Sequence, residues 1–316
     1  MESRLPIVIL AGSDMQRGFV PPGAENLHFM VGYKGADVRV GGRPLAELVL
    51  ERVRESDAFG EVYLAGPSRI YSGLVDCPIV DTDGHLGENL AAAIEHVVER
   101  HGPESRIAFI ACDVLPEARE IAELGSLLAA PRDSGVPPAL AISLIAADQD
   151  LGSSSWKPKY FFRPRAGLDL EPFLPGHLGI AWPSRLRTGL LLRLLHLAYR
   201  QRNRGYSRRK RTIVLSILGT LLRRDLWNLA RLEPPTLTYS VLRYGLGTFA
   251  RWRRGEIDLA GLELGLAKIV VRRRHFRREG PASVRIATSR HISFAKDFDT
   301  REELAELDRR VSEPLP

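Results

Sequence analysis

Short apolar runs of five to eight residues alternate with stretches whose apolar positions recur at helical spacing, over roughly residues 1–182 and again over 282–316. That alternation is the signature of an α/β domain. Buried-type strands are predicted at Pro6–Ala11, Glu61–Gly66 and Arg106–Cys112, with a short one at Cys77–Val80. Helices are predicted at Pro44–Arg54 and Glu88–Glu99, so a strand–helix–strand crossover is complete by residue 66. Ala139–Ala146 and Tyr160–Arg163 read as further strands, and Val284–Phe298 as one or two more. A final helix begins at a capping box, Thr300 with Glu303, with Asp299 just before it.

Residues 186–278 break this rhythm with helices whose faces are rich in leucine and whose opposite faces and joints are rich in arginine, as in Leu190–Leu197 and Thr212–Leu222 around the cluster Arg208, Arg209, Lys210 and Arg211. The expected organisation is an α/β core over 1–183, a basic helical insertion over 184–280, and a strand and helix over 281–316 that return to the core. Charge sharpens that division. The 316-residue chain has a net charge of +7, yet Arg185–Arg278 alone has 23 basic against 5 acidic residues, which leaves the remainder acidic. No uncharged apolar run approaches the ~20 residues of a bilayer span. The N-terminus lacks the basic and apolar regions of a secretory signal, so a cytoplasmic protein is expected. Cys77 and Cys112 have no partner at metal or redox spacing and read as small apolar fillers.

Ligands of open α/β sheets bind beyond the carboxyl ends of the strands. After the first strand comes Leu10-Ala11-Gly12-Ser13-Asp14-Met15-Gln16-Arg17-Gly18, a glycine turn whose amides can converge on a phosphate, with a guanidinium one turn later. It is neither a dinucleotide fingerprint nor a P-loop. Asp113 directly follows a buried strand, where a carboxylate is costly unless it enters a site or is paired. Lys34 can also be read as a solvated loop lysine, Asp299 as a cap of the last helix, and His85 as a surface loop residue.

Taken in order, the opening I-L-A-G-x-x-x-x-R-G, Lys34 leading into Val40-Gly41-Gly42-Arg43-Pro44-Leu45, Leu86-Gly87-Glu88-Asn89-Leu90, Asp113, and Phe298-Asp299-Thr300-Arg301-Glu302-Glu303-Leu304 resemble the nucleotidyltransferases of the molybdenum-cofactor cytidylyl/guanylyltransferase type. The resemblance implies a GT-A-like, Rossmann-like sandwich with a mostly parallel central sheet. It implies Mg²⁺-dependent transfer of a nucleotidyl group from a nucleoside triphosphate to a phosphorylated small molecule or lipid, with release of pyrophosphate. It places Leu10, Ala11, Gly12, Ser13, Gly87, Glu88 and Asn89 at the nucleotide. Arg17 falls at the leaving pyrophosphate, Lys34 at the α-phosphate, and Asp113 and Asp299, with Asp297 as a substitute, at Mg²⁺. Acceptor contacts are expected from Pro175–Gly179 and the arginine-rich helices. The chain departs from the pattern at Ser13-Asp14, in the long segment Phe19–Tyr33 and at Leu115.

Two other functions stay open: a glycosyltransferase of the same sandwich class, and a non-catalytic nucleotide-binding or membrane-associated relative. The basic helices read either as a solvated face or as a peripheral contact with an anionic inner-membrane surface, through arginines interspersed with Tyr206, Trp227 and Trp252. Nucleic acid is disfavoured, because no aromatic stacking platform and no nucleic-acid motif is present.

Overall fold

A computed structural model describes residues 4–13, 24–131, 135–201, 219, 221–223, 225–227, 229–230 and 237–312. The strands are β1 (Ile7–Leu10), β2 (Arg39–Val40), β3 (Arg43–Pro44), β4 (Val62–Gly66), β5 (Ile79–Asp81), β6 (Ile107–Ala111), β7 (Leu140–Ala146), β8 (Tyr160–Phe162), β9 (Glu171–Ala181) and β10 (Val284–Ser289). β2 and β3 form a separate hairpin whose turn residues Gly41 and Gly42 both have positive φ, 57° and 82°. Glycine meets that requirement without steric cost.

The main sheet runs in the order β10-β7-β9-β6-β1-β4-β5, with β8 also on β9. β1 pairs in parallel with both β4 and β6, β4 with β5, and β7 with β10. Only β9 runs against its neighbours β6, β7 and β8. The sheet is therefore mostly parallel, and the expected α/β class is observed. Ile7 and Ile9 face one buried layer with the helix Leu45–Glu55, while Val8 and Tyr63 face the other with Ala93 and Val97 of the helix Leu86–His101. Burial on both faces is what makes these strands continuous apolar runs.

The 284–298 region is one strand, β10, followed by a 3₁₀ turn at Ile292–Phe294. A helix at Ala118–Ala129 adds to those read from the sequence; its entry is closed by the Glu117 amide donating to Glu120 Oε2 at 2.9 Å. β9 was not read from the sequence, because its proline and glycine content argues against a central strand. The register of β7 against β9 slips between Ile142 and Leu144, where Gly179 and Pro175 are their respective partners. This bulge accommodates Pro175, whose nitrogen has no proton to give the ladder, and Ser143 Oγ donates to the Leu178 carbonyl at 2.7 Å across it.

Within the basic region, helices span Thr188–Gln201, Leu237–Arg253, Leu259–Val270 and Arg273–Glu279. Leu186, Ala267, Val270 and Val271 pack with Ala139, Ala181 and Val284 of the sheet. Arg208, Arg209, Lys210, Arg211, Tyr206 and most of Thr212–Leu222 lie outside the described residues. The aromatics named as one interfacial face divide: Trp227 is exposed, whereas Trp252 packs on the cluster of Phe162, Phe173 and Ile257. No described helix is long and apolar enough to cross a membrane.

Candidate active site

Three backbone connections bring distant stretches of chain to the carboxyl ends of β1 and β6. The Cys112 amide donates to the Leu10 carbonyl at 3.1 Å, extending the sheet by one residue and delivering Asp113 to its upper edge. The Phe298 amide then donates to the Asp113 carbonyl at 2.9 Å, which sets 297–299 beside it. Finally the Met30 amide donates to the Asp299 carbonyl at 2.8 Å and the Arg301 amide to the His28 carbonyl at 3.0 Å. The later part of the long segment before Lys34 is thus stitched to the C-terminal element, with Phe29 edge-on to Trp156 at 5.2 Å.

Asp113, Asp297 and Asp299 each offer a carboxylate oxygen, and these oxygens lie within 4.8 Å of one another. Each side chain is about one-fifth exposed, at 21%, 20% and 23% respectively. Lys34 stands against them: its Nζ is 3.4 Å from Asp113 Oδ2 and also donates to Asp299 Oδ1. Burial is the largest influence on that ammonium and disfavours its charge, but Asp113, Asp299 and Asp297 together outweigh it and hold the group well above the ordinary lysine range. Lys34 is a fixed positive charge here. Its neighbour Gly35 permits this placement, since a Cβ there would come within 2.9 Å of Tyr71 Oη and 3.1 Å of Cys112 Sγ.

A second cation, Lys157, supports the cluster from behind. Its Nζ reaches Asp297 Oδ1 at 2.5 Å and Glu303 Oε1 at 3.1 Å, and donates to the Asp297 carbonyl. Glu303 is 3% exposed; its Oε1 also accepts from Ser154 Oγ at 2.6 Å, while Oε2 accepts the amides of Asp299 at 2.8 Å and Thr300 at 3.0 Å. The Glu303 amide returns to Thr300 Oγ1 at 3.3 Å. Thr300 therefore caps the last helix, Arg301–Ser312, and the Asp299 carboxylate is left for the cluster. Burial raises both Asp297 and Asp299. For Asp297 the positive charge of Lys157 prevails and holds the carboxyl below its usual range; for Asp299 the adjacent Asp297 adds to burial and pushes it up. Nothing in the run Ser153-Ser154-Ser155-Trp156-Lys157 marks Lys157 from sequence, because its partners lie 140 and more residues away.

The cluster forms one wall of a cavity of about 170 Å³ that Leu10, Gly12, Ser13, Leu86, Asn89 and His177 also line. His177 sits at the bulge of β9, with Nε2 3.9 Å from Asp297 Oδ1. Asn89 is 2% exposed and fixed: its Oδ1 accepts from Thr82 Oγ1 at 2.9 Å and from the Gly84 amide at 3.0 Å. A Cβ on Gly12 would run into this held amide, so glycine is required where the β1 turn meets the helix. Ala11, Gly87 and Glu88 are not among the lining residues. Ala11 is tied to β4 through the Ala65 carbonyl at 2.8 Å, and the Glu88 carboxylate accepts the His85 amide at 2.8 Å and closes the helix entry. Arg17 and Asp14 lie outside the described residues.

No family model matches the chain, and no curated protein does. Among solved structures, a hypothetical transferase from Thermus thermophilus is 22% identical, with a TM-score of 0.54 over 95% of this chain and 99% of that one. The two share a fold. Looser likenesses, to 4-diphosphocytidyl-2C-methyl-D-erythritol synthase from Anaerococcus prevotii (9% identity, 98% and 99% coverage, TM-score 0.44) and to a CMP:2-keto-3-deoxy-manno-octonic acid synthetase (14%, 68% and 84%, 0.40), carry no weight for fold or function.

Proposed function

We propose that this protein is a nucleotidyltransferase that moves a nucleoside monophosphate from a nucleoside triphosphate to a phosphorylated acceptor, releasing pyrophosphate. The observation that carries the reading is the convergence of three carboxylates and a buried ammonium beneath a glycine turn at the strand ends.

The donor set suits Mg²⁺. Among the described residues, four carboxylates, those of Asp113, Asp297, Asp299 and Glu303, face two lysines, which leaves negative charge for a hard divalent cation that takes oxygen ligands. Asp113 and Asp299, with Asp297 beside them, would hold the ion, leaving its other positions to phosphate oxygens and water. Bound there, Mg²⁺ would supply charge neutralisation at the phosphates.

The remaining work falls to the chain. In the transfer, an acceptor phosphate oxygen forms a bond to the α-phosphorus as the bond to the β-phosphate oxygen breaks and its electron pair leaves with pyrophosphate. Lys34 stabilises the charge that gathers on the α-phosphoryl oxygens, a task for a preorganised cation rather than a base. The amides of Gly12 and Ser13 cradle the triphosphate, and Arg17 receives the pyrophosphate. Asn89, buried and fixed, sits beside the base; Leu10 and Leu86 give that end of the cavity an apolar wall. His177 and the β9 bulge stand on the side where the acceptor enters.

Mixing the protein with each of the four common nucleoside triphosphates, a panel of sugar and lipid phosphates and Mg²⁺ should release pyrophosphate with one pair, and chelation of the metal should stop it. A reaction that consumes a nucleotide-sugar without forming pyrophosphate would indicate the glycosyltransferase alternative instead.

A further inference from the structure

A second cavity, of about 340 Å³, lies in the basic region and falls within the range of small-ligand sites, roughly 300–1,000 Å³. Four cations line it: Arg187, Lys268, Arg273 and Arg277. None of its described lining residues is acidic, and none of these four cations is paired with a carboxylate among the described residues. The contrast with Arg185 next door is informative, because that guanidinium is paired with Glu279 at 2.6 Å.

Arg187 is held by one donor, its Nη1 giving a hydrogen bond to the Ile269 carbonyl at 3.0 Å, and its backbone amide is fixed on the Val270 carbonyl at 2.7 Å. Burial first, and then the like charge of Arg273, pull its basicity below the usual arginine range. Arg187 and Arg273 thus line one cavity, neither paired with a carboxylate among the described residues. Lys268 is steered by an aromatic ring, its Nζ lying 4.4 Å from the centroid of Tyr244. Tyr239 and Phe276 complete an aromatic and apolar floor.

The topology separates this cavity from the candidate active site. β6 and β9 are antiparallel, with Ile110 opposite Leu178 near the active-site end and Ile107 opposite Ala181 at the other. Leaving β9 at Ala181, the chain passes through Trp182, whose amide bonds to the Ala139 carbonyl at the start of β7, and then reaches Arg187. The basic cavity is therefore on the amino-terminal edge of the strands, at least the length of β6, or about 13 Å, from the carboxylate cluster.

From this geometry we infer a second ligand site, separate from the transfer centre, that binds a phosphate group through Arg187, Lys268, Arg273 and Arg277. Guanidinium forks match phosphate oxygens in shape and charge, and an anion here relieves the repulsion between Arg187 and Arg273. The phosphate can belong to a free ion or to a lipid headgroup, whose chain would lie along Tyr239 and Phe276. The inference does not rest on the proposed catalysis.

The test is calorimetric titration of the full chain, without metal, using inorganic phosphate and a soluble short-chain phosphatidic acid. Three proteins are compared: the unaltered chain, Arg273→Gln with Arg277→Gln, and Lys34→Gln as the active-site control. Both arginines are exposed, so the double variant should fold. Saturable binding is expected in the unaltered chain and in Lys34→Gln, weakened roughly ten- to a hundredfold in the double variant. Lys268→Gln provides a second, independent disruption in the same direction. Similar affinity for the two probes identifies free phosphate; tighter binding of the phosphatidic acid, with recruitment to vesicles that contain it, identifies a lipid headgroup. Absence of saturable binding, binding unaltered in the double variant, or binding lost only in Lys34→Gln would overturn the assignment.

Discussion

Asp113→Asn is expected to lower nucleotidyl transfer by about a hundred- to a thousandfold, and Lys34→Gln by a similar factor, the scale on which preorganised charges act on a developing transition state. Asparagine keeps the shape of Asp113 and the Phe298 amide bond to its backbone carbonyl, so the thermal transition of that variant should stay close to the parent's. The two replacements should also differ in their metal response. Asp113→Asn removes a ligand atom, and excess Mg²⁺ should restore part of its rate. Lys34→Gln removes a cation that touches Asp113 and Asp299, so it should bind Mg²⁺ at least as well as the parent while remaining slow. Pyrophosphate release assayed across a Mg²⁺ series, together with a melting curve for each variant, checks both statements. Full activity in both folded variants would remove Asp113 and Lys34 from the chemistry.

The largest effect on stability should come from Lys157. Its ammonium is 7% exposed and joins Asp297 to Glu303, which is itself 3% exposed. Lys157→Met leaves two carboxylates in a buried setting with one fewer counter-charge, and breaking such a pair costs about 3–5 kcal/mol. Adding Glu303→Gln removes one of the stranded charges while keeping an oxygen that can accept the Asp299 and Thr300 amides. The double variant is therefore expected to be more stable than Lys157→Met alone. Denaturant unfolding of the two single variants and the double variant measures the coupling. Additive losses would mean that the two side chains do not act as a unit. Activity should fall as well, because Lys157 orients Asp297 through both its carboxylate and its carbonyl.

Much of the core was readable because its signals are local. The runs that became β1, β4 and β6 are apolar without interruption, as strands buried on both faces must be, and the Thr300–Glu303 spacing announced the last helix. Asp113 was conspicuous because a carboxylate rarely follows such a strand without a purpose. β9 was hidden because Pro172, Pro175, Gly176 and Gly179 are turn residues by local rules, and only the bulge opposite Ile142–Leu144 makes room for them in a central strand. Glu88 reads as a nucleotide contact from its motif alone, while the closing of a helix entry by its carboxylate shows only in the fold. Lys157 could not be found at all, since it acquires meaning only when the 297–303 segment folds against it.

We propose that Asp113 and Asp299, with Asp297 beside them, hold one divalent ion beneath a bound triphosphate. Titration of Mn²⁺ by electron paramagnetic resonance, with and without a non-hydrolysable nucleoside triphosphate, decides whether they do. The prediction is one ion per chain, held more tightly when the nucleotide is present, with that site lost in a folded Asp113→Asn, Asp299→Asn double variant. Mn²⁺ binding of the same stoichiometry and affinity in the double variant would contradict it.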